Sequence, residues 1–310
     1  MDVKNFINEQ IKSIKESIGS EKAISALSGG VDSSVCTILA HRAIGDQLKN
    51  IFIDDGLMRE QESEDVKKIF SSLGINVDVI DAQDTFFTAL AGKFDPEEKR
   101  KAFRNTFYSV FGHEVLNSEA RYLIQGTIAA DIIETKGGVK TQHNILEQIG
   151  IDPEKGYGFK IVEPLKTLFK HGVREVAKEL GLPEKIHQRM PFPGPGLATR
   201  IVGEVTRERV NRVRKATLII EEELSPLKPF QAFAVLLNDK GTGVVNGQRK
   251  FGEIIIIRSV ESKDAMTAEP TKVPWDVLTK VAKRIIADIP EVVRVAYEIT
   301  PKPPATIEYI

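Results

Sequence analysis

Between Phe6 and Ile18 the apolar positions Phe6, Ile7, Ile11, Ile14 and Ile18 recur with charged side chains between them. That spacing predicts an amphipathic helix that lays one face on the rest of its domain. A short apolar run over Ala23–Leu27 then predicts a strand, and an alternation begins: helix over Val31–Ala43, strand over Ile51–Ile53, helix over Glu62–Leu73, strand over Val77–Ile80, further helix, and strand over Tyr122–Ile124. Strands separated by helices pair in parallel through right-handed crossovers. The expectation is a doubly wound, mostly parallel sheet covered on both faces.

From Gly137 to Phe159 the pattern loses any period and turns to glycine, lysine and polar residues, which predicts a long loop of the kind that serves as a lid. A helix over Val173–Leu180 follows. The string Arg189-Met-Pro-Phe-Pro-Gly-Pro-Gly-Leu197 then stops regular structure, because proline cannot donate to a ladder and clashes inside a helix. We place the domain boundary there, with one domain over 1–189 and a second over 190–310. Beyond it the order is helix (Glu204–Glu223), strand (Ala232–Leu237), strand (Glu253–Ser259), helix (Trp275–Ala287), strand (Val292–Ile299) and a short terminal strand. Adjacent strands without an intervening helix predict a smaller α+β domain with an antiparallel or mixed sheet.

Composition narrows the function classes. The 310 residues are 41% hydrophobic, enough for two cores, and Lys+Arg 43 against Asp+Glu 44 leaves a net charge of -1. Such a balance supplies no field to attract nucleic acid or an anionic membrane. A single cysteine, Cys36, excludes an internal disulfide and a multi-cysteine metal cage and fits a reducing compartment. The charged N-terminus lacks the apolar stretch of a secretion signal, and no run approaches the length of a membrane helix. A soluble, cytoplasmic protein is expected. His41, His113, His171 and His187 show no metal-ligand spacing.

The segment that carries chemistry is Leu27-Ser28-Gly29-Gly30-Val31-Asp32-Ser33-Ser34, between the first strand and an apolar helix. Two glycines let the backbone turn tightly and approach a ligand, and the helix start presents unpaired N–H groups and a positive dipole end. The dipole stabilises an anion there by roughly 0.3 to 2 kcal/mol, and the hydroxyls of Ser28, Ser33 and Ser34 add hydrogen bonds. A phosphate chain is the natural ligand. No lysine follows as in G-x-x-x-x-G-K-[ST], and G-x-G-x-x-G is missing, so neither common nucleotide loop fits. Asp54, Asp55 and Leu57 follow the second strand at the ligand-binding edge of such a sheet, where the aspartates either serve the ligand or cap the next helix. Gln125–Asp131 follows another strand. Asp32 and Asp131 either cap helices or hold Mg²⁺ beside the phosphates, since hard cations take carboxylate oxygens.

The eight-residue string resembles the pyrophosphate loop of the ATP pyrophosphatase superfamily, which includes NAD synthetases, argininosuccinate synthetases, GMP synthetases and tRNA-modifying adenylating enzymes. That resemblance implies an adenine nucleotide alpha hydrolase-like fold, cleavage of ATP between its α and β phosphates, and AMP passed to a carbonyl oxygen of the substrate. It places Leu57 beside the base and makes Ser28, Gly29, Gly30, Val31, Asp32, Ser33 and Ser34 contacts to ATP.

Three further strings, Glu97-Glu98-Lys99-Arg100-Lys101, Pro191-Phe-Pro-Gly-Pro-Gly-Leu197 and Lys302-Pro-Pro-Ala-Thr-Ile-Glu308, are similar to those of GMP synthetase. This likeness implies amination of XMP to GMP with ATP, Mg²⁺ and ammonia. It makes Lys302, Thr306 and Glu308 contacts to XMP, puts Arg100 on the phosphate side, and implies a homodimer through the C-terminal domain. Lys140 matches the family's lid lysine and is the candidate for neutralising the α-phosphate, with Asp32 as the second catalytic residue; Lys160 is a candidate pyrophosphate contact. The family commonly has two histidines where Gln142 and His143 stand. Cys36 lies in an apolar helical stretch, unlike a glutaminase nucleophile, and the synthetase pattern begins almost at Met1. A separate glutamine amidotransferase subunit is therefore expected to supply ammonia. The competing readings are an NAD synthetase-like adenylating amidase and a non-catalytic nucleotide-binding module on the same fold.

Overall fold

A computed structural model describes residues 2–129, 131–132, 160–187, 189–245, 247–263 and 265–310. The candidate lid residues Lys140, Gln142 and His143 lie outside the described residues. The chain divides into two units. The first comprises Met1–Asp54, Gln61–Ala82 and Phe107–Arg189, and the second Asp55–Glu60, Gln83–Thr106 and Met190–Ile310. Residues 55–60 and 83–106, which the sequence pattern leaves in the first domain, thus group with the second unit.

In the first unit, α1 (Val3–Ile18) is capped by the Asp2 carboxylate, which accepts from the Asn5 N–H, and it buries Ile7, Ile14 and Ile18. β1 (Ala23–Leu27), β2 (Leu48–Asp54), β3 (Asp78–Asp81), β4 (Tyr122–Ile124) and β5 (Lys160–Val162) form one sheet in the order β3-β2-β1-β4-β5. Every pairing is parallel, with Ala26 opposite Ile51, Ser25 opposite Ile124 and Tyr122 opposite Lys160. β1 is central, which explains its apolar Ala-Ile-Ser-Ala-Leu run, whereas β3 sits at an edge and is largely exposed. Helix α2 (Val31–Ile44) carries the chain from β1 to β2, and α3 (Glu62–Ser72) precedes β3. The chain then returns to the other side of β1, so strand order reverses between β1 and β4. At such a switch point the loops beyond the carboxyl ends of the two strands diverge and leave a crevice.

β5 has no counterpart among the elements expected from sequence, because three residues following an aperiodic stretch give neither alternation nor turn signals. α6 (the Lys170–Glu179 helix) buries Val173, Val176 and Ala177, and a short α7 covers Glu184–His187.

The second unit contains α4 (Gln83–Leu90) and the first part of α5 (Pro96–Asn117), with Phe86 packed on Phe103 at 4.9 Å between ring centroids. α8 (Arg207–Leu224) is capped by Thr206 and buries Val210, Val213, Ile219, Ile220 and Leu224. β6 (Gln231–Val245) and β7 (Gln248–Glu261) form a long antiparallel hairpin, β8 (Glu269–Pro270) adds an antiparallel edge, and α9 (Trp275–Asp288) leads to β9 (Val292–Glu298), parallel to β7. The sheet is mixed because a helical crossover returns β9 in the direction of β7. Where the sequence suggests a terminal strand, there is a single bridge between Lys302 and Ala268. Pro301, Pro303 and Pro304 lack N–H donors and stop the ladder from propagating. The tail is nonetheless anchored, with Ile307 in the apolar cluster of Phe233, Val235, Val260 and Ala268. Among the described residues no helix is long and apolar enough to cross a membrane.

Candidate functional site

β1 ends at Leu27 and α2 begins at Val31, leaving Ser28, Gly29 and Gly30 to make the turn. Gly29 adopts φ +73°, a left-handed conformation that favours glycine. Gly30 is the extended N-cap of α2 and no side chain caps the helix, so its first N–H groups stay turned to the loop. The hydroxyls divide in role. Ser34 is 0% exposed and donates to the Gly30 carbonyl at 2.8 Å, so it braces the helix start. Ser28, exposed, and Ser33, half-buried, are 3.1 Å apart, and the Ser28 N–H donates to Ser33 Oγ at 3.2 Å. The Gly30 N–H faces Ser28 Oγ at 3.4 Å, on the same side of the turn as these two hydroxyls.

The β4 loop packs directly on this turn. A Cβ at Gly126 would lie 3.1 Å from the Ser33 nitrogen, so the two loops approach closely and a side chain there would push on the Ser33 backbone. Beside it Gln125 donates to Thr127 Oγ1 at 3.0 Å, and Thr127 donates to Glu163 Oε1, just past β5, at 2.6 Å. Asp131 accepts the Ile128 N–H at 3.0 Å, a local cap. Asp32 meets Lys170, whose Nζ donates to Oδ2 at 2.5 Å, while the Asp32 Oδ1 is buried without a hydrogen-bond partner among the described residues. That orphaned oxygen suits a cation, although no three His, Cys, Asp or Glu side chains converge on one point among the described residues. Burial, with the charges of Asp32 and Glu163, pushes the Cys36 thiol well above its usual range. Cys36 is therefore a protonated packing group, its Sγ directed to the Gln125 carbonyl at 3.6 Å.

Other candidates fall elsewhere. Lys160 opens β5 at the amino edge of the parallel sheet, over the Tyr122 ring, so strand register does not bring it to the loop that follows the carboxyl end of β1. Leu57 is fully buried in the second unit, where its carbonyl accepts the Leu197 N–H at 2.8 Å. Asp55 accepts the Leu57 N–H at 2.8 Å and so makes a local turn rather than capping α3, whose N-cap is Gln61.

In the second unit Glu308 is gripped at both oxygens by Arg200, at 3.0 Å each, and also accepts from Gln231. A carboxylate has about four lone-pair sites, so three donors leave one acceptor position on Oε2. Lys302 Nζ donates to the Ala265 carbonyl at 2.7 Å, and the Thr306 carbonyl accepts from buried Arg258 at 3.1 Å. Arg100 is half-exposed and pairs with Glu97. Its neighbour Lys99 is 2% exposed and donates to the Ile201 carbonyl at 2.7 Å. The string Glu97–Lys101 thus contains one buried anchor amid exposed charges.

Burial, followed by the positive charge of Arg209, lowers the Lys99 pKa to about 8 from its ordinary 10.5. Between these values the unfolded chain holds a proton that the folded chain has released, so stability rises with pH across that window and is flat below it. Denaturant titrations of wild type and Lys99→Met at pH 7.5 and 9.5 should show wild type gaining stability relative to the variant at the higher pH. An unchanged difference would mean that the ammonium is not desolvated.

Lys170, Glu62, Arg189, Arg200 and Glu163 carry no signal in the sequence. Each acts through a partner between 36 and 160 residues away, and no local pattern marks them.

Comparison with known proteins gives the family. The family model described as NAD synthase matches residues 2–197, and that described as GMP synthase C terminal domain matches 220–309. Among curated relatives, a subunit of "GMP synthase [glutamine-hydrolyzing]" from Archaeoglobus fulgidus is 54% identical over 310 residues, covering 100% of both chains. The subunit of the same name from Pyrococcus furiosus is 54% identical over 307 residues, 98% of this chain and 96% of its own. Among solved structures, the NH3-dependent NAD synthetase from Campylobacter jejuni is 18% identical with a TM-score of 0.48, covering 61% of this chain and 78% of its own, too low to add to what the sheet order shows. With relatives matching end to end at this identity, the chain belongs to the GMP synthase subunit family.

Proposed function

We propose that the chain converts XMP to GMP, using ATP and ammonia, as the synthetase subunit of a two-subunit enzyme. The observation that carries the reading is the strand–turn–helix Leu27–Ser34 at the switch point, joined in one chain to a GMP synthase C-terminal domain. In this reading the xanthine O2 of XMP attacks the α-phosphorus of ATP, and the bond to the β-phosphate oxygen breaks. Pyrophosphate leaves into the loop, held by the Ser28 and Ser33 hydroxyls and the Gly30, Val31 and Asp32 N–H groups. Ammonia then adds at C2, AMP departs with the former O2, and a proton is released. The protein contributes position and charge, which is what adenylyl transfer demands.

Mg²⁺, bound through Asp32 with Asp131 as the second candidate, would neutralise phosphate charge. Lys170, bonded to Asp32, is a further candidate to neutralise a phosphate, and Lys140 remains the proposed partner of the α-phosphate. Arg100, Lys302, Thr306 and Glu308 are the proposed contacts to XMP. The remaining acceptor on Glu308 suits an N–H donor of the purine. The relatives' designation as one subunit of a glutamine-hydrolysing enzyme supports a separate glutaminase partner for this chain, and a homodimer through the second unit is part of the same proposal.

The adenylyl intermediate gives the test. Without ammonia, labelled pyrophosphate should exchange into ATP only when XMP is present. Exchange driven by a different carbonyl substrate, or none with XMP, would contradict the assignment.

A further inference from the structure

We propose that Glu62 and Arg189 are positioning residues of the phosphate loop, whose ion pair fixes the Gly29–Gly30 peptide with its N–H edge toward the ligand. The inference rests on the reading of Ser28–Ser34 as the seat of the ATP phosphates. Arg189, beyond α7, donates from Nη1 to the Gly29 carbonyl at 2.8 Å, and both its terminal nitrogens bond the two carboxylate oxygens of Glu62. Glu62 is the first residue of α3 and is buried. Its Oε1 occupies the space that a Cβ on Gly29 would need.

In a trans peptide the C=O and the following N–H point to opposite sides. Anchoring the Gly29 carbonyl on Arg189 therefore turns the Gly30 N–H the other way, and it faces Ser28 Oγ at 3.4 Å, on the hydroxyl-lined side. Glycine at φ +73° has no side chain to hold this orientation, and glycine is the residue with the most backbone states to lose. A planar guanidinium that meets a carboxylate with both nitrogens and still reaches a carbonyl fixes one state, which a lysine point charge cannot do. Neither side chain need touch the ligand; both act through the peptide.

The test uses the full-length chain, calorimetric titration with inorganic pyrophosphate in the presence of Mg²⁺, and steady-state kinetics with XMP, ATP and ammonium. Arg189→Lys keeps the charge, and Glu62→Gln keeps the shape. Each should weaken pyrophosphate binding and raise KM for ATP by about tenfold while leaving KM for XMP unchanged, and the double variant should be no worse than the weaker single one, as expected of groups acting as a unit. Pyrophosphate affinity within about twofold of wild type in folded Arg189→Lys would overturn the proposal. If that variant does not fold, Glu62→Gln is judged by the same criterion; if neither folds, the pair is a folding determinant and the proposal falls. Wild type that fails to bind pyrophosphate would overturn the phosphate reading itself, and this inference with it.

Discussion

Gly29→Ala is expected to abolish ATP-dependent turnover while leaving the second unit folded. A non-glycine residue held at φ +73° costs about 1–3 kcal/mol. The new methyl group also overlaps Glu62 Oε1 and would approach Arg189 Nη1 to 3.0 Å. Forcing that carboxylate away breaks a largely buried ion pair, a change that typically costs about 3–5 kcal/mol when one partner is lost. Part of this cost falls on global stability, and the rest on the loop's ability to present its N–H groups. We expect kcat/KM for ATP to fall on the order of 10³-fold, with far-ultraviolet circular dichroism unchanged. Removing the clash with Gly29→Ala/Glu62→Ala should not restore activity, because the strained φ and the lost clamp both remain. Turnover of Gly29→Ala within about threefold of wild type would show that the loop does not hold the phosphates.

The second large effect is on stability. Arg200 is 1% exposed, lies over the rings of Phe192 and Phe233 at 4.8 and 4.0 Å, and has Nη1 already without a partner among the described residues. Its charge is balanced by Glu308. Glu308→Ala should therefore destabilise the second unit by about 3–5 kcal/mol, since it leaves a buried guanidinium uncompensated. For a unit of this size that corresponds to roughly 10 °C in Tm. Replacing both groups with apolar residues, as in Arg200→Met/Glu308→Leu, should recover much of the loss, because the desolvation cost of the charges goes with them. Thermal unfolding of the three proteins decides the matter. Glu308→Ala melting within about 2 °C of wild type would mean that the tail does not neutralise Arg200.

Period and punctuation make the helices and central strands readable. β1 and β4 start and stop where the apolar runs do, and the Gly-Gly turn lies where the strand gives way to helical spacing. Elements whose identity depends on partners are less legible. β5 is three residues long and defined only by its pairing with β4. The extension of β6 through Asn238–Gly243 is polar and glycine-containing, and becomes a strand because β7 runs beside it. The terminal segment has strand-like residues, but its prolines leave one bridge.

The site divides in the same way. The loop can be read because the chemistry of a phosphate cradle is contiguous in sequence. Its supports cannot: Lys170 reaches Asp32 across 138 residues, and Arg189 reaches Gly29 across 160. Resemblance alone nominates Lys160, and only strand register shows that it stands at the opposite edge of the sheet. Resemblance also nominates Leu57, at a strand end, yet its side chain is enclosed and its carbonyl is committed to Leu197. Burial of that kind is decided by tertiary packing, on which the local sequence is silent.

The most direct test of the central claim is to incubate the purified chain with XMP, ATP, Mg²⁺ and ammonium and follow GMP, AMP and pyrophosphate together, with glutamine replacing ammonium in parallel. Equal amounts of the three products are expected with ammonium and none with glutamine. ATP cleaved to AMP and pyrophosphate without GMP, or GMP formed from glutamine by this chain alone, would contradict the claim.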